Sequence, residues 1–388
     1  MSSLHNIFPK VAIVTDQMTA FGGADRELFS MLKIFPKAEI YTTVFHPDQY
    51  PTLANKVHTT FAQKLTQIFG RNFYRHLKIL NPFLYESMDL RGYNLVISIS
   101  AGPAKSVITG IGQIHVARVL TPPRSLWDME LNIRASRLKS LYSPLLRILN
   151  TYLRVWDYAI SKRVDYWCVN SKFIQKKVQK TYGVNSEVIY PGVEKSFYEK
   201  REPNEIKIVQ KKYNLPKEFF LVVSRLYDYK KVDVAIRACI KAEKELYIVG
   251  NGPDRKYLEK LSKGHRNIHI LGYLPENEIK IFYKLAQCFL FCGIEDFGLT
   301  PVESMASGTP VFAYGYGGVT ETVQSGISGE FFTKEEELFS LLKNFSKSRY
   351  NEREVKRTSE RFSERVFVLN LKEYFLNIYE KEKNIKTK

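Results

Sequence analysis

Residues 288–318 constrain this chain more than any other stretch. Cys288-Phe289-Leu290-Phe291-Cys292 is an unbroken apolar run, the composition of a strand buried on both faces. It gives out at Gly293 into a loop carrying Glu295, Asp296 and Gly298, after which Thr300-Pro301-Val302-Glu303 opens a helix. Thr300 suits the N-cap and Pro301 the first helical position, where a missing N–H costs nothing. Gly308 and Pro310 then end that helix after about two turns. A strand, a loop and a helix N-terminus in that order belong to an α/β sheet. The free amides of Phe297, Gly298, Leu299 and Thr300, at the positive end of the helix dipole, form a place for a phosphate.

Glu295 and Glu303 stand eight positions apart around that anion site. An ionised carboxylate accepts hydrogen bonds from paired sugar hydroxyls, so the pattern points to a ligand with phosphate in its middle and polyols on both sides. Glu303 is also three residues after Thr300, the spacing of a capping box, and that plainer role stays open for it. The stretch from Glu295 through Gly317-Gly318 resembles the E-x7-E signature of the family 4 nucleotide-sugar glycosyltransferases, retaining enzymes of the GT-B fold. The resemblance implies a carboxylate at the donor sugar (Glu295), a second at the ribose (Glu303), and intervening amides on the diphosphate.

A chain of 388 residues is long enough for two domains with full cores. Four cysteines in apolar context are too few for a disulfide framework, and a reducing cytosol is the expected compartment. No run approaches a membrane span, and no apolar signal core precedes Val11-Ala12-Ile13-Val14, so a protein neither exported nor inserted is expected. The formal charge is +18, and residues 1–200 hold 26 Lys and Arg against 14 Asp and Glu. Within that half, Leu131 to Arg163 sets Arg134, Arg137, Lys139, Arg147, Arg154, Lys162 and Arg163 against Asp157 alone, among regularly spaced leucines. Such a segment suits a helix whose face touches an anionic membrane, or a core helix with a solvated basic back. No nucleic-acid-binding signature accompanies the charge.

Taken in order, Val11–Asp16 reads as a buried strand, and Gly22-Gly23-Ala24-Asp25 as a glycine turn opening a helix where backbone can approach a ligand. This resembles the family's Gly-Gly-Ala-Glu loop, with Asp25 where glutamate is usual. Glu39–Phe45, Asn94–Ser100 and Val116–Leu120 are further strands, the last ending in Thr121-Pro122-Pro123-Arg124-Ser125-Leu126-Trp127-Asp128. That element resembles the family's His-Thr-Pro-x-Arg-x-x-Trp-Asp, with Leu120 in place of the histidine. His115, on a strand, is expected in the core. Asn170-Ser171 follows another strand, and Ser171 suits an N-cap. A charged, proline-bearing stretch from Glu194 to Lys217 reads as the interdomain linker and entry helix.

The second domain begins at Phe219-Phe220-Leu221-Val222-Val223. Arg225 and Lys230 leave that strand end together, where ligands bind open α/β sheets, although a plain surface cation pair has the same appearance. Their spacing resembles the family's Arg and Lys that neutralise the departing diphosphate. Gly250 ends the next strand, and Leu271-Gly272-Tyr273 resembles the backbone that lies against the nucleotide base in relatives. His269 is expected in the core. Lys334–Lys347 and Ser363–Lys388 read as helices.

The expected fold is therefore α/β, of GT-B type: two Rossmann-like domains with parallel sheets facing a central cleft and a C-terminal helix crossing back. The expected boundaries are 1–198 for the acceptor side, 199–365 for the nucleotide-sugar side, and 366–388 for the returning helix. The resemblance implies a retaining hexosyltransferase with Glu295, Arg225 and Lys230 catalytic. Donor contacts are expected from Gly22, Gly23, Gly250, Gly272, Tyr273, Phe297, Gly298, Leu299, Thr300 and Glu303. It implies a glycan or lipid-linked acceptor and no cofactor beyond the nucleotide-sugar co-substrate; with no Asp-x-Asp pair in the sequence no metal is expected, and no nucleic acid is expected either. GDP-mannose is the first choice of donor, because Tyr-Lys-x-Val-Asp and Trp-Asp resemble the mannosyltransferase-like group. A UDP-hexose donor, or a catalytically silent binding subunit, is the alternative.

Overall fold

The computed structural model describes residues 4–128 and 143–386. Val11–Thr15 (β1) is buried at every position, which requires cover on both faces and so a central place in a parallel sheet. It pairs in parallel with Glu39–Thr42 (β2) and with Leu95–Ser100 (β4). Val57–Thr59 (β3), Ile114–Val119 (β5), Tyr166–Val169 (β6) and Glu187–Val188 (β7) complete a seven-stranded sheet in the order β3-β2-β1-β4-β5-β6-β7.

The second sheet is built from Phe220–Val223 (β8), Leu246–Val249 (β9), Ile268–Gly272 (β10), Cys288–Phe291 (β11), Val311–Tyr314 (β12) and Gly329–Phe332 (β13). Its order is β10-β9-β8-β11-β12-β13, again all parallel. In each sheet the chain runs outward on one side and then returns to start the other. The reversal falls between β1 and β4 in the first sheet and between β8 and β11 in the second. Open α/β sheets bind ligands at the carboxyl ends of strands at such a reversal.

The chain divides into two units, Met1–Tyr190 with Phe367–Lys388, and Pro191–Val366. The expected boundary at 198 thus moves to 190, because the stretch read as a linker is already built into the second unit. Val193 forms a parallel bridge with Ser363, Phe197 is buried, and the Tyr198 hydroxyl donates to the Ser359 carbonyl at 2.9 Å. The terminal helix Glu364–Lys386 supplies Phe367, Leu371, Tyr374, Phe375 and Ile378 to the core that holds Ile13, Ile34 and Ile97. That spacing is one helical face, and the Phe375 ring meets Phe35 edge-on at 5.1 Å. Burying five such side chains stabilises the first unit by on the order of 10 kcal/mol before entropy is counted.

Candidate active site

Two of the expected site residues meet at the reversal point of the second sheet. Lys230 lies on the turn after β8 and Glu295 on the loop after β11, the two strands that flank the reversal. Their side chains, 13% and 18% exposed, form an ion pair. The two loops can come this close because position 293 has no side chain. A Cβ there would lie 2.7 Å from the Tyr229 carbonyl oxygen and 2.8 Å from the Lys230 Cα.

Behind Glu295 the loop after β12 closes in. The Gly318 amide donates to the Glu295 carbonyl at 2.8 Å, and Gly317 sits at φ 95°, a conformation strained for any residue with a Cβ. A Cβ on Gly318 would meet the Asp296 carbonyl oxygen at 2.1 Å. Gly317 and Gly318 therefore let the Glu295 loop be buttressed by backbone alone.

The helix after that loop spans Leu299–Ala306 and is capped by Gly298 at φ 89°. Thr300 is thus the second helical residue and Pro301 the third, rather than the cap and first position their types suggest. The glycine makes the tight turn one residue pair earlier than threonine could. Pro301 still costs nothing there, since the first four amides of a helix have no partner within it. Glu303 does not serve a capping box with Thr300. It is buried, and the Tyr283 hydroxyl donates to its Oε2 at 2.9 Å, which fixes the carboxylate's direction. Phe297 is buried edge-on against Phe362 at 5.4 Å, anchoring the loop from below.

Arg225 is exposed, with its guanidinium 5.7 Å from the Tyr227 ring centre. It shares the strand exit with Lys230. The Gly250 amide donates to the Gly272 carbonyl at 2.7 Å, joining the ends of β9 and β10, and Tyr273 beyond them is 82% exposed. His269, expected in the core, is half-buried: it pairs with Glu245 at 2.9 Å and stacks on Tyr247, because β10 is an edge strand.

Gly22 and Gly23 belong to the first unit, at the start of the exposed turn into the helix Gly23–Ile34. The Gly22 amide donates to Asp25 Oδ2 at 2.7 Å, and the Tyr50 hydroxyl donates to Asp25 Oδ1 at 2.9 Å. Burial pushes the Asp25 carboxyl above the usual range against those hydrogen bonds. Asp25 therefore holds the turn together. At the reversal of this sheet, Asp16 accepts the Ala101 and Ala104 amides at 2.8 and 3.0 Å. Leu120 is partly buried against the core, and His115 is fully buried beside the Ser98 hydroxyl at 3.0 Å. Ser171 is an N-cap, accepting the Ile174 amide.

Of the basic segment, Leu131 to Lys139 lies outside the described residues. In the helix Ser143–Ile160 and the turn after it, Arg154 donates to the Leu126 carbonyl, and Arg163 to Glu86 and the Ser106 carbonyl. The exposed side carries Ile148, Tyr152 and Val155 beside Arg147. Sequence reasoning missed two buried ion pairs below these elements, Arg118 with Glu27 and Lys105 with Asp157, each 2.6 Å. Asp157 also accepts from the Trp127 indole and the Tyr182 hydroxyl, both at 2.7 Å, so tryptophan of the Trp-Asp element is a structural anchor.

Residues 204–364, nearly the whole second unit, match the family described as glycosyl transferases group 1. The second unit is a group 1 glycosyltransferase domain. The chain is 28% identical over 185 residues to the alpha-monoglucosyldiacylglycerol synthase of Acholeplasma laidlawii, covering 44% of this chain and 46% of that one. It is 29% identical over 191 residues to the O-antigen chain mannosyltransferase of Salmonella typhimurium, covering 45% and 49%. The matched part thus spans about half the length of these curated relatives. The GT-B fold extends over the full chain: the Anabaena protein HepE, crystallised with UDP-glucose, superposes with a TM-score of 0.69 at 18% identity, covering 95% of this chain and 99% of that one. Within the described residues, no helix is long and apolar enough to cross a membrane.

Proposed function

We propose that this chain transfers a hexose, with retention and without a metal, from a nucleotide sugar to a glycan or lipid-linked glycan. The reading rests on one observation: Lys230 and Glu295 meet at the reversal of the second sheet, on the loop that leads into the helix Leu299–Ala306. The diphosphate takes the amides of Phe297 to Thr300, with Lys230 and Arg225 offsetting the charge that grows on it as the anomeric carbon loses its bond. Glu295 orients the sugar by its hydroxyls, and Glu303, aimed by Tyr283, takes the ribose. Gly250, Gly272 and Tyr273 line the base. The bond from anomeric carbon to phosphate oxygen breaks, the acceptor oxygen bonds the same face, and the acceptor's proton passes to the leaving diphosphate.

GDP-mannose is the preferred donor. The mannosyltransferase among the relatives supports that choice, and the glucosyl-transferring relative keeps a UDP-hexose as its rival. The enzyme works at the cytoplasmic side, peripheral to the plasma membrane. Leu120, in place of a histidine that could hydrogen-bond substrate, favours a second reading as a catalytically silent subunit that binds donor. Incubation with GDP-mannose and with UDP-glucose separates these. Slow donor hydrolysis that disappears in Glu295→Ala supports the enzyme, and binding without turnover on any acceptor supports the subunit. Failure to bind any nucleotide sugar refutes both.

A further inference from the structure

Large apolar side chains at the surface of this protein are unevenly spread. Phe61, Ile68, Phe69, Ile79 and Phe83 fall within 23 consecutive residues, and all are exposed, Ile68 by 72% and Phe83 by 66%. Local structure explains the pattern. The helix Ala62–Phe69 buries Ala62 and Thr66, four apart, and so turns Ile68 and Phe69 outward. The 3-10 helix Phe73–Leu80 buries Leu77 and presents Ile79, and the helix Asn81–Glu86 buries Pro82, Leu84 and Tyr85 and presents Phe83. Three short elements in succession thus put their polar-to-apolar boundary on the wrong side for a solvated surface.

The charge carried by the segment itself has one sign. Residues 61–85 contain no Asp or Glu. Arg71 is neutralised by Asp48, while Lys64, Arg75 and Lys78 are exposed among the apolar groups. Interleaved apolar and cationic side chains match the boundary layer of an anionic bilayer: acyl chains take the former and phosphates the latter.

We propose that the outer face of residues 61–83 is a docking surface for an anionic lipid bilayer. This deepens the membrane-peripheral reading above and is independent of which donor is used. The segment is tied to the ligand-bearing edge of the first sheet. Gln63 Oε1 accepts the Phe45 amide at 2.8 Å beyond β2, and the Thr19 hydroxyl donates to the Tyr74 oxygen at 3.2 Å beyond β1. Docking here holds the edge that carries Gly22 and Gly23 beside the head groups, where a lipid-linked acceptor presents its sugar.

The test is flotation of the full chain with phosphatidylcholine vesicles, with and without phosphatidylglycerol, at low and high salt. The surface predicts co-flotation with the anionic vesicles that weakens with salt. Lys64→Gln with Lys78→Gln lowers the partition coefficient by on the order of thirtyfold, about fivefold per charge. Ile68→Ser with Phe69→Ser abolishes flotation, and Phe83→Ser alone lowers it while leaving the Phe69–Phe73 ring contact intact. Nucleoside diphosphate binding, measured in parallel, stays unchanged in every variant, so a failure of the donor reading leaves this result standing and the reverse. No flotation at low salt, equal binding to uncharged vesicles, or flotation indifferent to all these substitutions overturns the proposal. So does a loss of self-association, rather than of vesicle binding, in Ile68→Ser with Phe69→Ser.

Discussion

Replacing Gly293 by alanine tests whether the closeness of two strand exits sets the site's geometry. The new Cβ would lie 2.7 Å from one backbone atom of the β8 turn and 2.8 Å from another, against the 3.4 Å where ordinary contact begins. Neither neighbour is a side chain that can rotate away, so the loops bearing Lys230 and Glu295 must separate by about 0.7 Å. Overpacking of this kind costs about 1–3 kcal/mol, which for a unit of this size lowers the unfolding temperature by roughly 3–10 °C. A misplacement of 1 Å at a reacting centre can cost about a hundredfold, so a shift of this size should slow transfer by at least about tenfold. Thermal unfolding and donor turnover, measured together, read both effects. Gly110→Ala is the control, since its Cβ would meet its nearest neighbour at 3.5 Å. If Gly293→Ala loses stability yet keeps its rate and nucleotide affinity, the gap does not set the distance between the two charged groups. If it loses neither, the steric argument itself fails.

Glu295→Gln should tighten the binding of free nucleoside diphosphate by about tenfold while cutting transfer at least a hundredfold. Unit charges about 4 Å apart at an effective dielectric near 20 attract by ~4 kcal/mol, and desolvation leaves about a third of that to be released to the ligand. Calorimetry with GDP and UDP checks it, and unchanged or weaker affinity for both would contradict the pairing. His115 gives a pH dependence. Burial holds its folded-state pKa down at about 4 against an ordinary 6.5, so the unfolded chain takes up the proton first. Stability from this group is complete above pH 6.5 and is lost as pH falls toward 4, by roughly 3 kcal/mol in all. The buried Asp16, whose pKa is raised by desolvation, acts with the opposite sign, so the comparison is between chains. His115→Gln should flatten the fall in urea midpoint between pH 7.5 and 5, and parallel slopes would refute the assignment.

Much of the architecture was legible because apolar runs such as 11–15, 95–100 and 288–291 have one natural home, a parallel strand covered on both faces. The Glu295 loop was legible for a related reason: strand, glycine-bearing loop and helix start occur there without interruption. Other features depend on residues far apart in the chain. Nothing local to Glu303 announces Tyr283, nothing near Asp25 announces Tyr50, and the short strands β3, β12 and β13 carry too few residues to show a period. Thr300 misled because a good capping residue lost its place to a glycine two positions earlier. His269 misled because alternation along a strand cannot tell an edge from a centre.

The helix that ends the chain has a consequence for how this molecule comes into being. Because Phe367 to Ile378 complete a hydrophobic core that otherwise draws on residues 4–189, the first unit cannot reach its final packing until the helix that follows the second unit has been made. The intervening unit has all its strands in one uninterrupted span and can settle while synthesis continues. The first unit, begun before the second, is thus finished after it. Until then the apolar side chains that Phe367, Leu371, Tyr374, Phe375 and Ile378 cover stay open to water.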